Sequence, residues 1–350
     1  MKHADDMNEE TDMKMSTTTS ISQLPADILQ SIANCVHLFD YMNLRATCKT
    51  LRSTIPTAKW RFGCSFPLFM SIKNNKGICE LRDPCQDITH TVNTPHSPSN
   101  IEFCKDGWLL LRTEGGTLQY FNPFTGDKGT YPSFDGAVLQ ASYAFSTCPD
   151  SSDCITVGIT GYIETYISCF QASSKTWDSV CFADTVFTAN YNSSPKYHNG
   201  AFYFIGLKGN LGVFEIVEGE CSWKVYDCPL TEEASLSLNS CYLVELDGEL
   251  VSVFIQQVGK KVQVFKFEIS KECWVELTDL GDHVLFLSPA SSFSESVKDS
   301  TMRNRIYLPR RIGNGIVYYS LKTRKYHTLG KDDPMDDLYG TWTQSFCCWI

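Results

Sequence analysis

Arg303, Arg305, Arg310, Arg311, Lys322, Arg324 and Lys325 crowd into one short stretch of an otherwise acidic chain. Guanidinium forks match phosphate and carboxylate geometry. The cluster is therefore a candidate patch for an acidic or phosphorylated partner, with Arg303, Arg305, Arg310 and Arg311 as its substrate-binding residues. Solvated strand ends and loops explain the same residues without a partner. Covalent and metal chemistry find less support. The 16 cysteines form no C-x-x-C pair, and the seven histidines show no ligand spacing, so no metal is expected. There is no Gly-x-Ser-x-Gly elbow, no phosphate loop and no His-Glu-x-x-His. Gly206, Gly209 and Gly212 fall between two strand-like runs with no helix to follow, and read as a turn. No catalytic residue and no cofactor is expected, and the chain is read as one that binds and does not catalyse.

The elements that would position such a patch differ along the chain. Residues 1–20 are polar and acidic, with Asp5, Asp6, Glu9, Glu10 and Asp12 close together, and are expected to be a disordered tail. Residues 21–56 carry a helical period. Leu24, Ile28, Leu29, Ile32 and Val36 share one face. Pro25 suits a first helical turn, where its missing N–H has no partner to lose, and Asp27 complements the helix dipole there. A break at Leu38-Phe39-Asp40, with Asp40 as N-cap, precedes a second stripe through Tyr41, Leu44, Cys48, Leu51 and Ile55.

Residues 57–350 change texture. Short runs rich in Val, Ile, Phe, Tyr and Leu alternate with Gly, Asn, Asp and Ser turns. The runs recur as units, opening on Asp106-Gly107, Asn199-Gly200, Asp247-Gly248 or Asn304 and closing on an aromatic residue. The closing aromatics are Tyr131, Trp177, Trp223, Trp274 and Tyr326, spaced by 46, 46, 51 and 52 residues. A period of this size with several strands per unit is that of propeller blades, which bury their faces only against neighbouring blades. The expected fold is an all-β propeller of about six blades preceded by a small all-α module. The closing aromatics are expected to fill the space between blades. The last segment, Tyr339-Gly340-Thr341-Trp342 through Phe346 and Trp349, is expected to return a strand to the first blade.

Composition bounds the function. Forty acidic against 30 basic residues give a net charge of −10, which disfavours nucleic acid as a partner. No apolar run approaches the ~18 residues that span a bilayer, and the N-terminus lacks the apolar core of a signal peptide. A cytoplasmic and/or nuclear location with reduced thiols is expected, with no membrane partner.

Leu24-Pro25, Ile28-Leu29, Ile32, Leu44-Arg45 and Cys48-Lys49-Thr50-Leu51-Arg52 resemble the F-box, the adaptor-binding module of SCF-type (Skp-cullin-F-box) ubiquitin ligases. Leu51 departs from the pattern, which usually has Trp before the Arg. Followed by aromatic-rich blades and a Trp-containing terminus, the module is similar to a plant F-box family with a KIB-type propeller, also called domain of unknown function 295. The resemblance implies a Skp-family adaptor as partner and, through it, a cullin-RING ligase. It implies adaptor contacts from Leu24, Pro25, Ile28, Leu29, Ile32, Leu44 and Cys48. It also implies a propeller that captures a protein target for ubiquitination. Two alternatives stay open: an adaptor-bound binding protein that degrades nothing, and a ring scaffold with no ligase role.

Overall fold

The computed structural model describes residues 21–36, 38–55, 67–73, 77–83, 88–95, 98–133, 142–161, 164–183, 186–228, 240–255, 261–312, 315–329, 337–339 and 341–343. The acidic segment 1–20 lies outside them. The chain forms two compact units, Met1–Lys59 and Trp60–Ile350.

The first unit is helical. Helix α1 (Ala26–Cys35) follows Pro25, whose carbonyl accepts from the Leu29 N–H at 3.0 Å. Helices α2 (Leu38–Thr47) and α3 (Lys49–Thr54) follow. Two details differ from the sequence reading. Asp40 sits inside the first turn of α2 and is not its N-cap, because the helix already begins at Leu38. The second apolar stripe is two helices and not one. Cys48 is extended (φ −157°, ψ 164°), and its Sγ accepts from the Leu51 N–H at 3.5 Å, so it ends one helix and caps the next. The break leaves the apolar spacing usable. Leu29, Ala33, Leu51 and Ile55 form the core of the unit, with Tyr41, Leu44 and Cys48 packed on it. Gln30 Nε2 donates to the Thr54 carbonyl at 3.3 Å and ties α1 to α3.

The second unit is a six-bladed β-propeller. Blade 1 comprises the strands Leu68–Lys73, Ile78–Asp83 and Ile88–Asn93, with Thr341–Thr343 added at its inner edge. That added strand pairs antiparallel with Leu68–Lys73, in the register Leu68↔Thr343, Phe69↔Trp342 and Met70↔Thr341. This return strand closes the ring, as expected from the sequence, while Phe346 and Trp349 of the expected segment lie outside the described residues. Blades 2 to 5 are four-stranded antiparallel meanders over residues 98–130, 142–182, 196–226 and 240–277. Their hairpins follow from local sequence. At Asp106-Gly107, Asn199-Gly200 and Asp247-Gly248 both central residues take positive φ (49° and 77°, 47° and 86°, 51° and 78°), as a two-residue type I′ turn requires.

Blade 6 departs from this plan. The strand His283–Phe286 pairs antiparallel with Phe293–Ser296 but parallel with Arg305–Ile312. Arg305–Ile312 is bulged between Tyr307 and Arg311, and beyond the bulge its far end pairs with Asp337–Tyr339. Such a bulge re-aims a long strand, which lets one strand serve two partners.

The core lies between blades. One buried cluster joins blades 2, 3 and 4 (Phe103, Trp108, Tyr131, Phe145, Phe170, Phe202 among its members). Others join blades 4 and 5, blades 5 and 6, and blade 6 to Phe69 of blade 1. The closing aromatics sit in these seams. Tyr131 meets Phe170 and Trp177 of the next blade, with ring centroids 5.0 and 5.7 Å apart. Trp177 and Trp274 each face an aromatic across their own hairpin, Phe170 and Phe267. Their indole N–H groups donate to carbonyls of the preceding blade or the segment after it, Pro132 at 3.1 Å and Gly209 at 2.8 Å. An indole buried with its N–H paired contributes large apolar area without an orphaned donor.

A buried loop occupies the ring's centre. Leu287, Ser288, Ala290, Ser291 and Ser292 of blade 6 are all buried. The Ala290 carbonyl accepts from Cys104 N–H of blade 2 at 2.9 Å, and the Ser292 N–H donates to Ser194 Oγ before blade 4 at 3.3 Å. Within the loop, Ser288 Oγ donates to the Ser291 carbonyl at 2.6 Å, and Ser292 Oγ to the Ser288 carbonyl at 3.0 Å. Buried backbone needs such partners, and serine hydroxyls supply them where no sheet can.

Candidate functional site: an apolar helix face

Helix α1 sorts its apolar residues onto two sides. Leu29 and Ala33 are each 1% exposed and face the unit's own core. Leu24 and Ile28 are 39% and 44% exposed, and Ile21 and Val36 are exposed beside them. A single exposed leucine is ordinary, but four exposed large apolar side chains within sixteen residues, from Ile21 to Val36, are the pattern of a contact surface. Burial against a partner would remove that area from water at roughly 25 cal/mol per Å2.

The residues expected at the adaptor contact therefore divide. Leu24, Pro25 and Ile28 are exposed, and Ile32 is half-buried. Leu29 is inside, where it shapes the surface by holding α1 against α3. Leu44 and Cys48 are half-buried and pack on the same core. Ile21 and Val36 join the exposed face without having been among the expected contacts, although Val36 shares the helical stripe. Ile21 precedes α1, in the short 3-10 turn Ile21–Gln23, where helical periodicity gives no signal.

The four arginines expected at the patch lie along one turn and the strand that follows it. Arg303 is exposed in a turn, and Arg305 begins the strand Arg305–Ile312. Arg305 is occupied. Its guanidinium donates to the Thr301 carbonyl at 2.8 Å and to Tyr307 Oη at 3.3 Å, and lies 4.6 Å from the Tyr318 ring centroid. Arg310 and Arg311 stand at the far end of the bulge, where their backbone pairs with Tyr339 and Leu338.

The inner strands instead bring together Lys105 and Lys196, which sequence proximity does not connect. Lys105 adjoins the Asp106-Gly107 turn, whereas Lys196 stands three residues before Asn199, so no shared spacing marked the pair in the sequence.

A helical module with an exposed apolar face, followed by a six-bladed ring, defines the class of F-box proteins with a propeller. Comparison with known proteins agrees. The F-box domain family model matches residues 21–60, and the KIB1-4 beta-propeller model matches residues 75–326. The chain belongs to the plant F-box proteins that carry a KIB-type propeller. It is 25% identical to an F-box/kelch-repeat protein of Arabidopsis thaliana over 320 residues, covering 88% of this chain and 89% of that one. It is 30% identical to a putative F-box protein of the same plant over 283 residues, covering 76% and 68%. Among solved structures it is similar to TolB from Acinetobacter baumannii, with a TM-score of 0.45 and 14% identity over 87% of this chain and 71% of that one. F-box domains generally bind Skp-family adaptors, and proteins built of an F-box and a propeller are typical substrate receptors. No helix among the described residues is long and apolar enough to cross a membrane.

Proposed function

We propose that the chain is the substrate-recognition subunit of an SCF-type ubiquitin ligase. The F-box docks a Skp-family adaptor and, through it, a cullin-RING ligase. The propeller captures a protein target for ubiquitination. The observation that supports this most is the exposed face Leu24, Pro25 and Ile28 on a helix whose other side, Leu29 and Ala33, is fully used inside. The chain contributes position and not bond chemistry. Ubiquitin transfer belongs to its partners, and holding the target near the charged carrier raises the effective concentration of its lysines. The free thiols among the described residues suit a reducing cytoplasm or nucleus.

The test is co-purification of the full chain with a plant Skp-family adaptor and cullin, beside a Leu24→Ala/Pro25→Ala variant. A complex with the wild type that is lost in the variant supports docking. Shortened lifetime of a co-captured protein, restored by the same variant, supports the ligase role. Docking without any shortened lifetime would replace it with an adaptor-bound protein that degrades nothing.

A further inference from the structure

Beside the buried serine loop, blades 2, 4, 5 and 6 together bound a cavity of about 300 Å3 that opens along the ring's axis side. Lys105, Lys196, Tyr197, Glu245, Asp247 and Ser292 are among its walls. Its charges are layered. Lys105 and Lys196 are both largely covered. Lys105 Nζ donates to the Ser146 carbonyl at 2.8 Å and lies 5.7 Å from the Tyr197 ring centroid. Lys196 Nζ donates to the Ser292 carbonyl of the central loop. Neither ammonium is ion-paired with a carboxylate among the described residues. Each has three N–H donors and spends one on a backbone carbonyl.

The carboxylates belong to the mouth. Asp106 is exposed on its hairpin turn. Glu245 and Asp247 have side chains 44% and 73% exposed, and they face His198 at 3.4 Å and His283 at 3.2 Å. Charges in a covered recess act through a lower effective dielectric than charges at the rim, where water and salt screen them. The interior is thus a site for negative charge, and the rim is a site for positive charge.

We propose that this axial cavity receives a phosphoryl group presented by a protein target, with a basic residue of that target against the Glu245–Asp247 rim. A dianion matches two unpaired ammonium groups, whereas one carboxylate would leave one of them uncompensated. The proximity of the pair is felt already in the empty cavity. Burial first, and the like charge of Lys105 second, pull the Lys196 ammonium down to about 8, against the opposing charges of Glu245 and Asp106 at the mouth. The serine loop behind Lys196 is fixed by its own hydrogen bonds, so the recess is preformed and little ordering opposes binding. Its volume suits a phosphorylated side chain and not a folded element.

The inference deepens the receptor reading, which supplies the expectation of a protein target. The test uses the full chain and two peptide libraries, degenerate around a fixed phosphoserine or a fixed serine, with inorganic phosphate as a third probe. The phosphoserine library should be retained about tenfold better, with Arg and Lys enriched beside the fixed residue. Lys105→Met and Lys196→Met should each abolish that preference, while Lys128→Ala, exposed on blade 2 and outside the cavity, should not. Lys105→Gln serves if a methionine variant fails to fold. Equal retention of both libraries, or an unchanged preference in the lysine variants, overturns the proposal. Inorganic phosphate competing at the peptide's own affinity also overturns it, since the site would then take a free anion. Adaptor binding is measured on the same preparations, so either reading can fail while the other stands.

Discussion

Ile28 and Leu29 are neighbours in α1 with opposite surroundings: Ile28 is 44% exposed and Leu29 is 1% exposed. One residue of helical rotation, about 100°, separates the surface of the F-box from its interior. The two residues can therefore be used to separate docking from folding.

Leu29→Ala should destabilise the helical unit by about 2–5 kcal/mol, the range for emptying a packed leucine site. Its effect on an adaptor should follow from partial unfolding. Ile28→Ala should leave helicity unchanged by circular dichroism.

The seam between blades 3 and 4 offers a second prediction. Trp223 packs against Phe182 of blade 3, with ring centroids 6.1 Å apart, and against Phe187 at 5.1 Å. Its indole also covers Gly212 of its own blade, where a Cβ would collide with the ring. Gly212→Ala should lower the melting temperature of the wild type. It should cost much less in a Trp223→Ala background, because the obstacle is gone. The coupling in that double-mutant cycle should exceed about 0.5 kcal/mol.

Lys196 gives a pH dependence of defined sign. Its ammonium titrates at about 8 when folded, against ~10.4 for an unperturbed lysine. Between those values the unfolded chain binds more protons than the folded one. Stability associated with this group therefore rises with pH across that window and is lowest below it. The melting temperature of the wild type relative to Lys196→Met should increase between pH 7.5 and pH 10. A constant difference would mean that the lysine is not held in a covered site.

Thiol reactivity separates the cysteines. Burial pushes Cys79 and Cys241 up to about 12, so thiolate, the reactive form, is scarce at pH 8. Cys35 and Cys181 are exposed. Iodoacetamide at pH 8, followed by peptide mass spectrometry, should label Cys35 and Cys181 before Cys79 and Cys241. Cys79 and Cys241 should be labelled only on unfolding.

Much of this architecture was legible because its causes are local. Asp-Gly and Asn-Gly pairs fix hairpin turns, and Tyr131, Trp177, Trp223, Trp274 and Tyr326 mark a period because every seam needs a filler. What was not legible depends on distant partners. The helix break at Cys48 preserves apolar spacing, so periodicity alone cannot reveal it. The parallel pairing of His283–Phe286 with Arg305–Ile312 joins runs whose own sequences do not specify direction. The central loop at Ser288–Ser292 reads as an ordinary polar turn until Cys104 and Ser194 are placed beside it. The candidate site divided in the same way. Leu24, Pro25 and Ile28 could be found from helical spacing, but the inward turn of Leu29 needed the position of α3. Lys105 and Lys196 are far apart in sequence and line one cavity.

The most direct measurement is the affinity of the full chain for a plant Skp-family adaptor, by isothermal titration calorimetry, for the wild type and Ile28→Asp. A charge on the exposed side of α1 leaves the core intact but would have to be desolvated at a docked interface. The account predicts tight binding by the wild type and at least about a hundredfold weaker binding, near 2.7 kcal/mol, by the variant, with unchanged thermal unfolding. Absence of wild-type binding, or equal affinity in the two proteins, would contradict a receptor docked through this face.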